Sequence, residues 1–466
     1  MKTKILLICF FSVLFSINAL IAQNFGGGSG VQNDPFLIKV PEHMQELHTL
    51  DWSKWSEEQP PYFRLENDLD MKNIDWVPLN SASPYSKHIH FDGNSHIIRN
   101  LTCINQNYAS LFGVLCGSCK NLGLVDVNMV SDKNGVGAFG GYVGILSPTS
   151  AFKTGLLENC YSSGRVEGVS AVGGLCGNLG KPKDGAVSCV RNCYSTCDVI
   201  GKYEKPESGD IQSGGGRTGG LIGIIWTGGI LENSYAAGTV KSIYLYGAGG
   251  IVGFSDSAIR GCVALNDSIL TNATTSNNSG KIGAIVGYMH PNSQKLSSGC
   301  WASESTVLNV MGSTIPFSEV RLYSFDGEIK DEKYIYSLVN YNSELNWDFM
   351  SEDNIWSQIS VNRYPVFQWM TDRGDAELIS GHQNLITNLI KNENSQTKVY
   401  FSNQRLWVTT DFVGEKRIEI RDIMGRLLFQ TFTDQQKISY EFNHKGIFEV
   451  IILSENKSYV SKQINN

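Results

Sequence analysis

Beyond residue 22, apolar positions in this chain come in runs that seldom exceed four residues, bounded in the repeated part by Gly and Asn. Val, Ile, Leu and Tyr fill these runs, and that length and composition predict short strands joined by tight turns. Two segments break the pattern. In residues 42–50, Met44, Leu47 and Leu50 share one helical face, which predicts a short helix covering the end of the strand array. Residues 5–22 are apolar apart from Ser12, Ser16 and Asn18, follow Lys2 and Lys4, and end at Ala22 before a Gly-rich stretch. A charged start, an apolar middle and a small residue at the end predict a secretory signal over residues 1–22, removed near Ala22. No other segment is apolar enough to span a bilayer.

The strand-and-turn texture repeats itself. Of the 48 Gly, 35 fall between Gly113 and Gly287, which places the repeats there. Glu158-Asn-Cys-Tyr-Ser-Ser-Gly164-Arg-Val166 leads to Val172-Gly-Gly-Leu-Cys-Gly177. Further copies are Arg191-Asn-Cys-Tyr-Ser195 with Thr218-Gly-Gly-Leu-Ile-Gly223, and Glu232-Asn-Ser-Tyr-Ala-Ala-Gly238 with Ala248-Gly-Gly-Ile-Val-Gly253. Fainter ones follow at Gly261-Cys-Val-Ala264 with Ile282-Gly-Ala-Ile-Val-Gly287, and at Gly299-Cys-Trp-Ala302. From Cys160 through Cys193, Ser234 and Cys262 to Cys300 the steps are 33, 41, 28 and 38 residues, so loops absorb the variation. A unit of this kind cannot bury its apolar face alone, and stacking on the next unit does so. Glycines are expected to supply the corners with φ > 0.

These repeats resemble the GLUG repeats of bacterial surface proteins. Upstream, Gly28-Ser-Gly-Val-Gln-Asn-Asp34-Pro-Phe-Leu-Ile38, Tyr62-Phe-Arg-Leu-Glu-Asn-Asp-Leu-Asp70 and Phe91-Asp-Gly-Asn-Ser-His-Ile-Ile-Arg-Asn-Leu101 continue the likeness, as does Leu111-Phe-Gly-Val-Leu115. The resemblance covers about residues 25 to 300 and implies an all-β fold, a right-handed parallel β-helix. Residues 23–320 are assigned to it, and residues 321–370, with Trp347, Phe349, Trp356 and Trp369, to a cap that closes it. Residues 371–398 are polar and read as a linker.

Over residues 399–466 seven short alternating runs predict a small C-terminal β-sandwich of immunoglobulin-like type. Ile418-Glu-Ile-Arg-Asp-Ile-Met-Gly425-Arg426-Leu, His444-Lys-Gly446-Ile-Phe448 and Lys462-Gln-Ile464 resemble the C-terminal sorting domain of type IX (Por) secretion cargo, with Phe448 where that family usually has Tyr. The resemblance makes Gly425, Arg426, Gly446 and Lys462 the sorting-signal motif. It implies the type IX machinery as a partner, passage through the periplasm of a Gram-negative bacterium, and release or attachment at the outer-membrane surface.

Composition and charge narrow the chemistry. The net charge is −7 and no Lys/Arg run occurs, so there is no electrostatic footprint for nucleic acid. No His is followed by Glu, which removes His-Glu-x-x-His zinc peptidases; Gly-x-Ser-x-Gly and the P-loop are also missing. Gly135-Val-Gly-Ala-Phe-Gly140 fits a dinucleotide-loop pattern but opens no helix. Cys160, Cys193, Cys262 and Cys300 recur in step and read as a buried row behaving as small hydrophobes. Zinc at Cys116 and Cys119, or at Cys189, Cys193 and Cys197, lacks four ligands in paired spacing, and export permits disulfides of unreadable connectivity.

Asp68, Asp70, Asp92 and Asp126 are the carboxylates available for glycan cleavage or for calcium, although strand and turn chemistry accounts for them more simply. His88 and His90 alternate on one side of a strand, as a metal pair or a solvated face. Insertions at 201–217 and 272–280, and Tyr244 with Tyr246, are the expected contact surfaces. The sequence therefore reads as a secreted or cell-surface protein without catalytic, cofactor or metal residues, an adhesin for glycans or for host or community surface proteins. The alternative is a polysaccharide lyase or another glycan-degrading β-helix enzyme.

Overall fold

The computed structural model describes residues 25–465 except 83–84, 86, 147–151, 181–186, 203–215, 244–246, 273–281, 291–292, 294–296, 318–323, 352, 360–362, 382–396, 403–404, 412, 423–426, 445 and 455–456. The signal segment, Tyr244, Tyr246, Gly425, Arg426 and most of the two insertions lie outside the described residues. The described chain is mainly β, and it divides into two compact units between Trp356 and Ser357. Among the described residues no helix is long and apolar enough to cross a membrane.

In the first unit, 26 strands join in one hydrogen-bonded network whose pairings are nearly all parallel. Each strand pairs with the equivalent strand of the next repeat, so Tyr161 stands opposite Tyr194, Tyr194 opposite Tyr235, Tyr235 opposite Val263 and Val263 opposite Trp301. These are the same steps of 33, 41, 28 and 38 residues that the cysteines make. A second parallel sheet of five two- to four-residue strands runs beside it, from Asn134–Val136 to Ile282–Gly283. The Gly135 to Gly140 segment is an early copy of the repeat, with Val136 opposite Val172 and Gly140 opposite Cys176.

One apolar core runs through the stack, from Phe25, Phe36 and Met44 at its start to Cys300 and Ala302. The helix Pro41–Glu46 buries Met44, with Leu47 just beyond it, beside the first strand, Phe36–Ile38, which among the described residues pairs with one strand and is bonded on its other edge by Gly26 and Gly27. At successive corners Asn121, Asn159, Asn192 and Asn233 take φ of 53, 54, 50 and 47°, and Gly261 and Gly299 take 58° at the next two. Asparagine tolerates this left-handed region better than other residues with a Cβ. The residue after each corner is Leu122, Cys160, Cys193, Ser234, Cys262 or Cys300, all pointing into the core. There Cys193 Sγ donates to the Arg191 carbonyl (3.1 Å), Cys262 Sγ to that of Arg260 (3.3 Å), and Ser234 Oγ to that of Glu232 (2.7 Å). The Asn-Cys dipeptide is thus a turn residue followed by a side chain that caps the turn.

The expectation of φ > 0 glycine corners holds at Gly261 and Gly299, whereas the glycines of the Val-Gly-Gly-Leu-x-Gly segment have another role. Gly173, Gly219, Gly249 and Gly283 form one row without positive φ. They are there for close approach: a Cβ on Gly249 would lie 1.9 Å from the Val252 carbonyl oxygen, and one on Gly220 2.0 Å from that of Gly250.

Outside the core, Tyr161, Tyr194 and Tyr235 stack with ring centroids 4.8 Å apart, and Trp356 and Trp347 pack over them. Trp347 Nε1 donates to the Gly261 carbonyl (2.8 Å), which ties this segment along several successive repeats.

The second unit contains two short helices, Gln368–Arg373 and Ala376–Ile379, at the start of the segment read as a linker. Seven strands follow, one for each alternating run seen in the sequence. They form two antiparallel sheets, of three and four strands, around a core of Leu406, Val408, Ile418, Ile420, Val450 and Ile452.

Candidate functional site

The residue after the last glycine of each repeat copy takes an outer position. Register sets Tyr142, Asn178, Ile224, Phe254 and Tyr288 in one row across five repeats. Tyr142, Phe254 and Tyr288 are half-buried, whereas the apolar residues flanking the row lie in the core. Phe254 and Tyr288 stack at 5.6 Å and 9°, and Trp226 approaches Phe254 at 6.3 Å. The Arg217 guanidinium lies 4.5 Å over the Phe254 ring, a cation–π contact. Trp226 Nε1 donates to Asn178 Oδ1 (3.1 Å), and Asn178 Nδ2 to the Gly141 carbonyl (3.2 Å).

Polar groups rim this strip. Thr227 Oγ1 donates to Asp256 Oδ2 (2.9 Å), and His290 Nδ1 lies 3.8 Å from Asp256 Oδ1. Half-exposed aromatic faces with a hydroxyl, a carboxylate, an imidazole and a guanidinium nearby form a surface for stacking and hydrogen bonding. The sequence held its signal, an aromatic or polar residue after the glycine in every copy of the row except that of Ile224, but the strands had first to be aligned.

A second outer row alternates in sign: Arg64, Asp92, Lys120, Glu158, Arg191, Glu232 and Arg260 stand opposite one another in successive repeats. Glu158 is paired on both sides, to Lys120 at 2.7 Å and to Arg191 at 2.5 Å, and Arg260 meets Glu232 at 3.2 Å. Burial pushes the Glu158 carboxyl up, but the bonds from Lys120 and Arg191 outweigh it and hold it below its ordinary pKa. Opposite charges in register stabilise neighbouring strands, and like charges there destabilise them.

Of the four acidic residues of the sequence reading, Asp68, Asp70 and Asp92 serve local structure through their carboxylates and Asp126 through its backbone. Asp68 Oδ1 accepts from the Ile97 amide and contacts His96, both at 3.1 Å. Asp70 accepts from Asn100 (2.7 Å) and the Lys72 amide (3.0 Å), Asp92 from the Asn94 amide (2.9 Å) and Asn121 (3.1 Å). Asp126 is itself a left-handed corner, φ 55°, bonded through its amide to Ser163 Oγ. His88 and His90 do share a side, with rings 5.8 Å apart, yet His90 stacks under Tyr62 at 4.6 Å and bonds Ser118 Oγ at 2.7 Å. Burial, then the charges of His88 and Lys120, lowers its pKa to about 4.

Neither cysteine trio nor pair is gathered. Cys119 and Cys116 lie in separate apolar clusters, and Cys189 is half-exposed while Cys193 and Cys197 are buried. Burial pushes the Cys193 and Cys262 thiols well up, away from the thiolate that binds metal. Among the described residues no group of three His, Cys, Asp or Glu is placed to hold a metal ion. In the second unit, Gly446 opens the strand Gly446–Ser454 opposite Asn465, and Lys462 stands opposite Glu449.

Fold and site together define a mainly β protein of stacked parallel repeats with an aromatic outer strip. No protein-family model matches the chain, and no curated protein does. A crystal structure of a proposed immunoglobulin A1 protease from Bacteroides ovatus is similar to it, 34% identical with a TM-score of 0.61, over 74% of this chain and 95% of that one. The chain belongs to the family of that protein.

Proposed function

We propose that this chain is an exported right-handed parallel β-helix of the GLUG type, displayed at or released from the surface of a Gram-negative bacterium, and that it binds its ligand without catalysis. The following immunoglobulin-like β-sandwich serves as a type IX sorting domain that engages the secretion machinery. The observation that carries the binding reading is the strip of Trp226, Phe254 and Tyr288, held across three repeats and left half-exposed. Such a row suits stacking against a glycan or anchoring a surface protein.

The description of the Bacteroides ovatus relative favours a second reading, cleavage of immunoglobulin A1. The test uses both ligand classes: the full chain is passed over a glycan array and over immobilised immunoglobulin A1, with released products followed in the same wells. Retention without product, weakened at least tenfold in Phe254→Ala, is the expected result. Cleavage of either substrate class, or retention unchanged in Phe254→Ala and Trp226→Ala, overturns the reading.

A further inference from the structure

The three-stranded sheet of the second unit, Lys398–Ser402, Arg405–Thr409 and Lys437–Glu441, has one covered and one open face. Val399, Leu406, Val408 and Ile438 point into the core. Alternation turns the intervening residues outward, in the rows Lys398, Thr409, Lys437 and Tyr400, Trp407, Ser439, with Arg405 beside Glu441. Tyr400 is 50% exposed and Trp407 40%. Their rings are held 6.4 Å apart and within 11° of parallel.

Large aromatic surface left in water is unfavourable, and this stacked, parallel pair leaves aromatic area open to a ligand. The negative ring faces attract the weakly positive C–H groups of a sugar. A strip two rings wide, edged by Thr, Ser and charged residues, is too narrow for the roughly 1,600 Å² of a standard protein interface and fits a linear chain. Charge selects the kind of chain. Lys398 and Lys437 are exposed in the row next to the rings and have no ion pair among the described residues. Arg405 is held by Glu441 and Ser439, each at 3.2 Å. The face is therefore locally cationic on a chain whose net charge is −7.

We propose that this face binds an acidic polysaccharide, sugar rings stacked on Tyr400 and Trp407 and anionic groups paired with Lys398 and Lys437. The site is separate from the aromatic strip of the stack and does not depend on it.

Affinity electrophoresis of the full chain through gels containing polygalacturonate, dextran sulfate or neutral hydroxyethylcellulose tests this. The expected result is retardation by at least one acidic polymer and not by the neutral one, reduced by added salt. Trp407→Ala and the double variant Lys398→Glu/Lys437→Glu, both checked for native circular dichroism, should each weaken it at least tenfold. Absence of retardation, equal retardation in the neutral gel, or a loss confined to the lysine variant overturns the proposal, the last because charge alone would then account for binding. If Trp407→Ala does not fold, Tyr400→Ala replaces it.

Discussion

An L-residue forced into the left-handed region pays about 1–2 kcal/mol, and asparagine and glycine are the residues that escape most of this. The corner row from Asn121 to Gly299 contains nothing else. Asn192→Gly should therefore leave the urea midpoint nearly unchanged, whereas Asn192→Val should cost about 1–2 kcal/mol. His90 gives a residue-scale test in pH. Its folded pKa is lowered to about 4 by burial and by His88 and Lys120, against 6.5 for an unperturbed histidine. The unfolded chain thus takes up the proton first, and stability present above about pH 6.5 falls as pH drops towards 4. Denaturation midpoints measured from pH 7 to 4 should decline less steeply in His90→Gln. Neither role was legible from residue type: Asn read as a generic turn former, and the histidine's burial depends on Tyr62, 28 positions away.

At the scale of elements, the strand runs were legible because length, β-branched composition and closing glycines agree, and all seven runs after residue 398 became strands. The reason for the paired glycines was not, because it lies in close approach, of the first glycine to a carbonyl oxygen three residues on and of the second to the next repeat. Gly220→Ala would set a methyl against the Gly250 carbonyl oxygen at 2.0 Å and the Ala236 methyl at 2.7 Å, and should destabilise by about 2 kcal/mol or more. Gly312, unlike Gly220, has a positive φ, 84°, and nothing lies within 4 Å of its added Cβ. Gly312→Ala should cost only the backbone strain, about 1 kcal/mol, so thermal unfolding of the two variants separates crowding from conformation. The candidate strip was hidden for a related reason: Phe254 and Tyr288 are 34 residues apart, and only register makes them neighbours.

Across the whole first unit, each repeat contacts the repeats before and after it, so its stability is approximately a sum of nearest-neighbour terms. The apolar rows contribute to that sum whichever repeat follows, since Leu, Ile, Val and Cys replace one another along them. The charged row from Arg64 to Arg260 does not, because each member fits only a neighbour of opposite sign. This row therefore has a period of two repeats, whereas the other rows have a period of one. Excising a single repeat between Lys120 and Arg260 would bring like charges face to face, while excising two adjacent repeats there would restore the alternation.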